Sequence, residues 1–211
     1  MSTARTLVVV SAGLSNPSST RLLADRLTDA TVRELERLGD DVTVVNLELR
    51  DHAHAIVDAM LTGFPTGELA EALEQLVAAD GVIAVTPLFT TTYSGLFKSF
   101  VDIIDKDSLR DMPVLLGATG GTPRHSLALD YSVRPLFSYL RTDVLATTVF
   151  AATDDWAGQG GDEANPLPRR IERAGRELAE RVHARENAGP ADPFASAPSF
   201  ADLLAQGGVE S

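Results

Sequence analysis

The sequence predicts a doubly wound α/β domain, a five-stranded parallel sheet with helices on both faces, and two observations carry that expectation. Short apolar runs at residues 7–10, 42–47, 81–85, 113–116 and 144–149 are each too short for a helix and read as buried strands. Between them lie segments with leucines at helical spacing, and strands that alternate with helices imply parallel pairing. A chain of 211 residues with 44% hydrophobic residues can bury one sizeable core, and no composition shift marks a second domain. Residues 1–186 are therefore expected to form a single domain.

Composition narrows the function classes. A formal charge of -12 and a pI of about 4.7 disfavour nucleic acid as a partner, because a phosphate backbone needs a basic surface. The chain has no cysteine, so disulfide and thiol chemistry are excluded. Residues 1–5 do not start a secretory pattern and no apolar run approaches the length of a membrane span. A soluble cytoplasmic protein is the expectation.

The first strand leaves into a serine-rich loop, residues 11–20, and Ser18 or Ser19 is the expected N-cap of a helix carrying Leu22, Leu23, Leu27, Leu35 and Leu38 on its apolar side. Gly39 and Asp40 end it. Free N–H groups and the positive end of a helix dipole hold a phosphate without a lysine, and Ser11, Ser15, Ser18, Ser19 and Thr20 are placed to wrap one. A turn with a good cap and no ligand is an equally open reading of this loop. The G-x-G-x-x-G and G-x-x-x-x-G-K-S patterns are missing, which disfavours a dinucleotide fold of the Rossmann type and a P-loop nucleotidase.

Residues 48–64 have mixed character; His52 and His54 read as part of a solvated loop or short helix rather than as metal ligands. Thr66 is the expected cap of a helix with Leu69, Leu73, Leu76 and Val77 on one side. After the third strand, Pro87 is expected to stop the strand and open a polar, aromatic loop that ends in a helix from Gly95. Ligands bind beyond the carboxyl ends of such strands, so this loop is the expected grip on the flat ring of a flavin. Leu96, Phe97, Phe100, Val101 and Ile104 form a broad apolar arc on the helix, which suits either a subunit interface or burial within the domain.

The fourth strand runs into Gly117-Ala-Thr-Gly-Gly-Thr-Pro-Arg-His125, where paired glycines permit positive φ and let a planar ligand lie on bare backbone amides; a glycine turn without a ligand fits as well. A helix over 125–140 is interrupted by Pro135, which predicts a kink or wide turn near residues 131–134. The fifth strand is followed by a Gly- and Asp-rich connection holding Trp156, then a long helix from about Leu167 entered through Pro166 or Pro168. Residues 187–211 form a Pro-, Ala- and Ser-rich tail expected to be mobile, within which residues 200–204 can dock as one amphipathic turn.

Three segments, in order and spacing, resemble the NAD(P)H-dependent FMN reductases of the flavodoxin-like superfamily, the group that supplies reduced flavin to two-component monooxygenases. They are residues 11–20, Thr86-Pro-Leu-Phe-Thr-Thr-Thr-Tyr-Ser-Gly-Leu-Phe-Lys98 and Gly117-Ala-Thr-Gly-Gly-Thr-Pro-Arg-His-Ser-Leu-Ala-Leu-Asp-Tyr-Ser-Val-Arg-Pro135. The resemblance implies sheet order 2-1-3-4-5 and hydride transfer from NADH or NADPH to FMN, with a flavin-dependent monooxygenase as the implied partner. It places Ser11, Ser18, Ser19 and Thr20 at the FMN phosphate, and Pro87, Leu88, Phe89, Thr90 and Tyr93 along the isoalloxazine. Thr119, Gly120, Gly121 and His125 would border its far edge. It also implies a homodimer or homotetramer, with Tyr131 in the helix that forms a tetramer contact in relatives. Leu14-Ser15-Asn16 stands where relatives often have a basic residue, leaving Arg21 as the nearest cation, while Arg124 and Arg134 are candidates for the extra phosphate of NADPH. An FMN-holding quinone or azo reductase and a flavodoxin-type electron carrier are the rival readings.

Overall fold

In a computed structural model, which describes residues 3–157 and 166–185, the predicted alternation is present. The strands are β1 (Ala4–Ser11), β2 (Asp41–Glu48), β3 (Gly81–Phe89), β4 (Thr92–Tyr93), β5 (Pro113–Gly120), β6 (Asp143–Val144) and β7 (Val149–Ala152). The α-helices are α1 (Ser19–Leu38), α2 (Ala53–Thr62), α3 (Glu68–Val77), α4 (Gly95–Asp102), α5 (Arg134–Tyr139), α6 (Thr153–Ala157) and α7 (Leu167–His183). The sheet order is β2-β1-β3-β5, with β6 and β7 both parallel to β5 and β4 antiparallel to β3. This is the flavodoxin-like 2-1-3-4-5 arrangement with its fifth position shared by two short pieces.

Alternation along the strands builds two cores. Val8, Val10, Val82, Ala84, Val114 and Leu116 face the layer containing α2, α3, α4 and α5. Leu7, Val9, Ile83, Val85 and Leu115 face α1 and α7. Ser18 caps α1 by accepting from the Arg21 N–H at 3.2 Å, and Gly39 ends it at φ 95°, a left-handed turn that glycine takes without strain. Leu23, Leu27 and Leu35 are buried beneath the helix, but Leu22 faces outward at 42% exposure.

Several boundaries differ from the sequence expectation. Thr66 does not cap α3; Gly67 occupies that position at φ 58°. Pro87 does not end β3, which continues to Phe89. Residues two apart in a strand address the same neighbour, and the Val85 carbonyl accepts from the Ala12 N–H at 3.0 Å. Pro87 therefore faces the side on which β1 has already ended, where its missing N–H deprives no partner. The chain then turns back through Thr90 and Thr91 into β4, pairing Leu88 with Tyr93 and Phe89 with Thr92. The Thr86 hydroxyl fastens this hairpin, accepting from the Ser94 N–H at 3.2 Å and donating to the Pro87 carbonyl at 3.0 Å. Ser94 in turn caps α4 through the Phe97 N–H.

The apolar arc on α4 is spent largely within the domain, since Phe97, Phe100, Val101 and Ile104 pack in the core. The wide turn expected near residues 131–134 is a π-helix, Leu129–Val133, running into α5 with Pro135 in its first turn; a short 3-10 segment, Pro123–His125, precedes it. The single fifth strand expected over residues 144–149 is broken in its middle. There the Arg134 guanidinium donates to the carbonyls of Leu145 and Ala146, at 3.0 and 3.4 Å. The Glu177 carboxylate accepts from the Ala146 and Thr147 N–H groups, at 2.8 and 3.2 Å. Side chains from α5 and α7 thus satisfy backbone groups that a continuous edge strand would leave to water. Residues 187–211, expected as a tail, lie outside the described residues.

Two substitutions test this packing. A Cβ at Gly175 would lie 2.7 Å from the Ala30 Cβ and 2.9 Å from backbone atoms of Ala30 and Thr31, so α7 crosses α1 with no room for a methyl group. Gly175→Ala is expected to lower stability by roughly 1–2 kcal/mol in urea denaturation, the clash exceeding the gain in helix propensity. Thr86→Val keeps the shape but leaves the buried Ser94 N–H without its acceptor; a loss of about 1–3 kcal/mol is expected, and an unchanged denaturation midpoint would contradict it.

Candidate functional site

The carboxyl ends of β1, β3 and β5 bring the three singled-out loops to one edge of the sheet. At the first, the N–H groups of Ser19 and Thr20 fall in the opening turn of α1, where helix geometry supplies no acceptor, and that turn holds no acidic residue. Gly13 packs so closely on the cap that an added Cβ would sit 2.1 Å from the Ser18 Oγ. Ser11 is buried, and its Oγ has no hydrogen-bond partner. A tight backbone turn, an unpartnered hydroxyl and open helix N–H groups fit a phosphate group.

Arg21, the nearest cation, is already engaged. Its guanidinium donates to Asp25 at 2.6 Å and pairs with Glu48. Burial lowers its pKa, but the hydrogen bonds and charges of Glu48 and Asp25 outweigh that and hold it above its ordinary value. The positive charge persists but is shared between two carboxylates. An anion at this loop would therefore meet N–H groups and hydroxyls.

Thr20 and Thr119 come from different loops, and their buried hydroxyl oxygens lie 2.9 Å apart in a hydrogen bond. This contact pins the first turn of α1 to the end of β5. Pro87 is the register partner of Thr119, so the base of the hairpin lies beside the same point. Leu88 and Tyr93 are half-buried, while Phe89 is 47% exposed at the hairpin end and Thr90 is exposed at its tip. Thr90 and Thr91 adopt φ values of 51° and 75°. Two-residue hairpins of this twist favour Asn and Gly, so β-branched residues here cost of order 1–3 kcal/mol each. Backbone strain is thus concentrated beside the predicted ring-binding residues.

The third loop works differently from the sequence expectation. Neither Gly120 nor Gly121 has positive φ; among the described residues the glycines that do are Gly39, Gly63 and Gly67. Gly120 closes β5, and a Cβ there would meet the Phe150 ring at 3.0 Å, so the residue is small because the core is full. A Cβ at Gly121 would meet nothing within 4 Å, which places that residue against open space. His125 is half-buried in the 3-10 segment and Arg124 is exposed. Arg134 is occupied by Asp130 and by the carbonyls of the broken edge strand, which leaves Arg124 as the exposed cation of this loop.

The residues missed in the sequence are Gly13, Thr86 and Ser94. Gly13 was open to notice, as a glycine between a strand and a serine-rich helix entry. Thr86 and Ser94 carried no signal, because their role depends on a hairpin whose turn, Thr-Thr, lacks the usual turn residues.

A model of the family described as NADPH-dependent FMN reductase matches residues 5–157. The chain is 38% identical over 151 residues to the FMN reductase (NADPH) of Pseudomonas aeruginosa, covering 71% of this chain and 78% of that one. It is 40% identical over 162 residues to the NADH-dependent FMN reductase SfnE of Pseudomonas putida, covering 74% and 82%. Among solved structures, an oxidoreductase from Corynebacterium diphtheriae superposes with a TM-score of 0.81 at 45% identity, covering 86% of this chain and 98% of that one. The apo form of the NADH:FMN oxidoreductase EmoB superposes with a TM-score of 0.66 at 27% identity, covering 81% and 88%. The family match spans the sheet edge and all three loops described above, and the chain belongs to the NADPH-dependent FMN reductase family.

Proposed function

We infer that the chain is an NAD(P)H-dependent FMN reductase, an oxidoreductase that transfers hydride from NADPH or NADH to FMN. Family membership and relatives named for both dinucleotides support this activity. The observation in the fold that carries it is the Thr20–Thr119 contact, which joins an anion-ready helix end to an open glycine loop. FMN supplies the hydride-accepting ring; the protein supplies position.

In this reading the N–H groups of Ser19 and Thr20, with the hydroxyls of Ser11, Ser18 and Thr20, hold the phosphate. Pro87, Leu88, Phe89, Thr90 and Tyr93 line the ring, whose orientation is fixed by a hairpin that Thr86 and Ser94 keep rigid. Thr119, Gly120, Gly121 and His125 border the opposite edge, with Gly121 leaving the backbone bare. Arg124 is the group placed to meet the extra phosphate of NADPH. No helix among the described residues is long and apolar enough to cross a membrane, which is compatible with the cytoplasmic location we assign. Exposed Leu127, Tyr131 and Tyr139, on and beside the π-helix, offer the apolar face for a homodimer or homotetramer. The reduced flavin goes to a flavin-dependent monooxygenase.

Steady-state oxidation of NADH and NADPH, with FMN as the varied substrate, tests the activity. Multiple turnover is expected; a single stoichiometric reduction would instead indicate an electron carrier. Gly121→Val is expected to weaken FMN binding by roughly tenfold, about 1.4 kcal/mol, with the thermal midpoint unchanged because its side chain enters open space. Equal FMN affinity in a fluorescence titration of that variant would remove the third loop from the site.

A further inference from the structure

We propose that the C-terminal segment of this chain, through Phe200, Leu203 and Leu204, docks in an apolar groove between α3 and the end of α4. The groove has a volume of about 650 Å³ and is lined mainly by Pro65, Leu73, Val77, Ala78, Ile103 and Ile104. Past Pro65 it continues along α2, where Met60 and Gly63 form its wall. Val57, Met60 and Leu61 share the outer side of α2 with Phe64 just beyond it, and Leu61 and Phe64 are 81% and 74% exposed. An apolar surface of this extent marks a contact.

The path of the chain identifies what makes that contact. α7 belongs to the opposite layer, where Leu178 and Val182 pack with Leu7. Its end then passes beneath the sheet. Arg5 donates to the His183 carbonyl at 2.9 Å, and the His183 ring nitrogen lies 2.8 Å from Asp40. Arg185 donates to the carbonyls of Ala79 and Asp80, at 2.9 and 3.2 Å, and reaches the Met112 sulfur at 3.1 Å. Ala79 and Met112 belong to the layer of α3 and α4, and Ala78 already lines the groove. The Arg185 side chain, at the last described residue, therefore reaches backbone adjoining Ala78 at one end of the groove, and 26 residues of the chain follow it.

Length and pattern fit. From Arg185 to Phe200 an extended chain spans roughly 50 Å, whereas α3 is about 15 Å long. In Phe200-Ala-Asp-Leu-Leu204 a single helical turn puts Phe200, Leu203 and Leu204 on one side and Asp202 on another. Charge does not drive the contact: residues 186–211 contain Glu186, Asp192, Asp202 and Glu210 with no lysine or arginine, and Glu74 and Asp105 border the groove. Apolar burial must outweigh like-charge repulsion, so added salt, which screens the repulsion, should tighten docking.

Because the chain has no cysteine, Gln206→Cys in the full-length protein accepts one nitroxide label. The expected result is loss of amide NMR intensity at Leu73, Val77 and Ile103, growing with salt and abolished when Phe200, Leu203 and Leu204 are all changed to serine. The remaining spectrum of that variant is expected to match that of the unchanged chain. Full intensity at the three amides would overturn the proposal. So would a loss that appears only on mixing labelled unenriched chains with unlabelled ¹⁵N chains, which would assign the groove to a second copy.

Discussion

The buried hydrogen bond between Thr20 and Thr119 is the contact on which the site depends. One partner sits in the first turn of α1 and the other at the end of β5, so a pair of buried hydroxyls links the two loops. In a dry environment such a bond holds its geometry firmly, since breaking it leaves two unpaired polar groups. The base of the hairpin is tied to the same point by the β3–β5 ladder, through Pro87 and Thr119. In the proposed reading the protein contributes position to hydride transfer.

Electrostatics at the site are local and mostly uncharged. The chain carries a formal charge of -12, and the cation nearest the serine-rich loop, Arg21, is held by Asp25 and Glu48. A helix N-terminus remains effective under those conditions because its N–H groups act within hydrogen-bond range, where the overall field matters little. In the proposed reading the same arrangement limits how strongly a phosphate is gripped. Strain is local as well. The left-handed Thr90 and Thr91 are tolerated because Thr86, Ser94 and the cap of α4 hold both sides of the hairpin.

Alternating apolar runs and leucine spacing determined the order of strands and helices, the two-sided sheet and the loops that meet at its carboxyl edge. That information is local, because periodicity reports which face of each element is buried. The Ser18 cap, the Gly39 stop and the irregularity before Pro135 were legible for the same reason, each resting on the intrinsic geometry of a few adjacent residues. Only the tertiary structure decided the rest. β3 passes through Pro87 because β1 has ended beside it, and the edge strand breaks where Arg134 reaches it from α5 and Glu177 from the distant α7. Gly120 is required by the Phe150 ring rather than by its own φ, and Arg21 is engaged by Glu48 from the next strand. In each case the deciding partner lies far along the chain, and a sequence pattern carries no record of which distant side chain will fill the space or take the hydrogen bond.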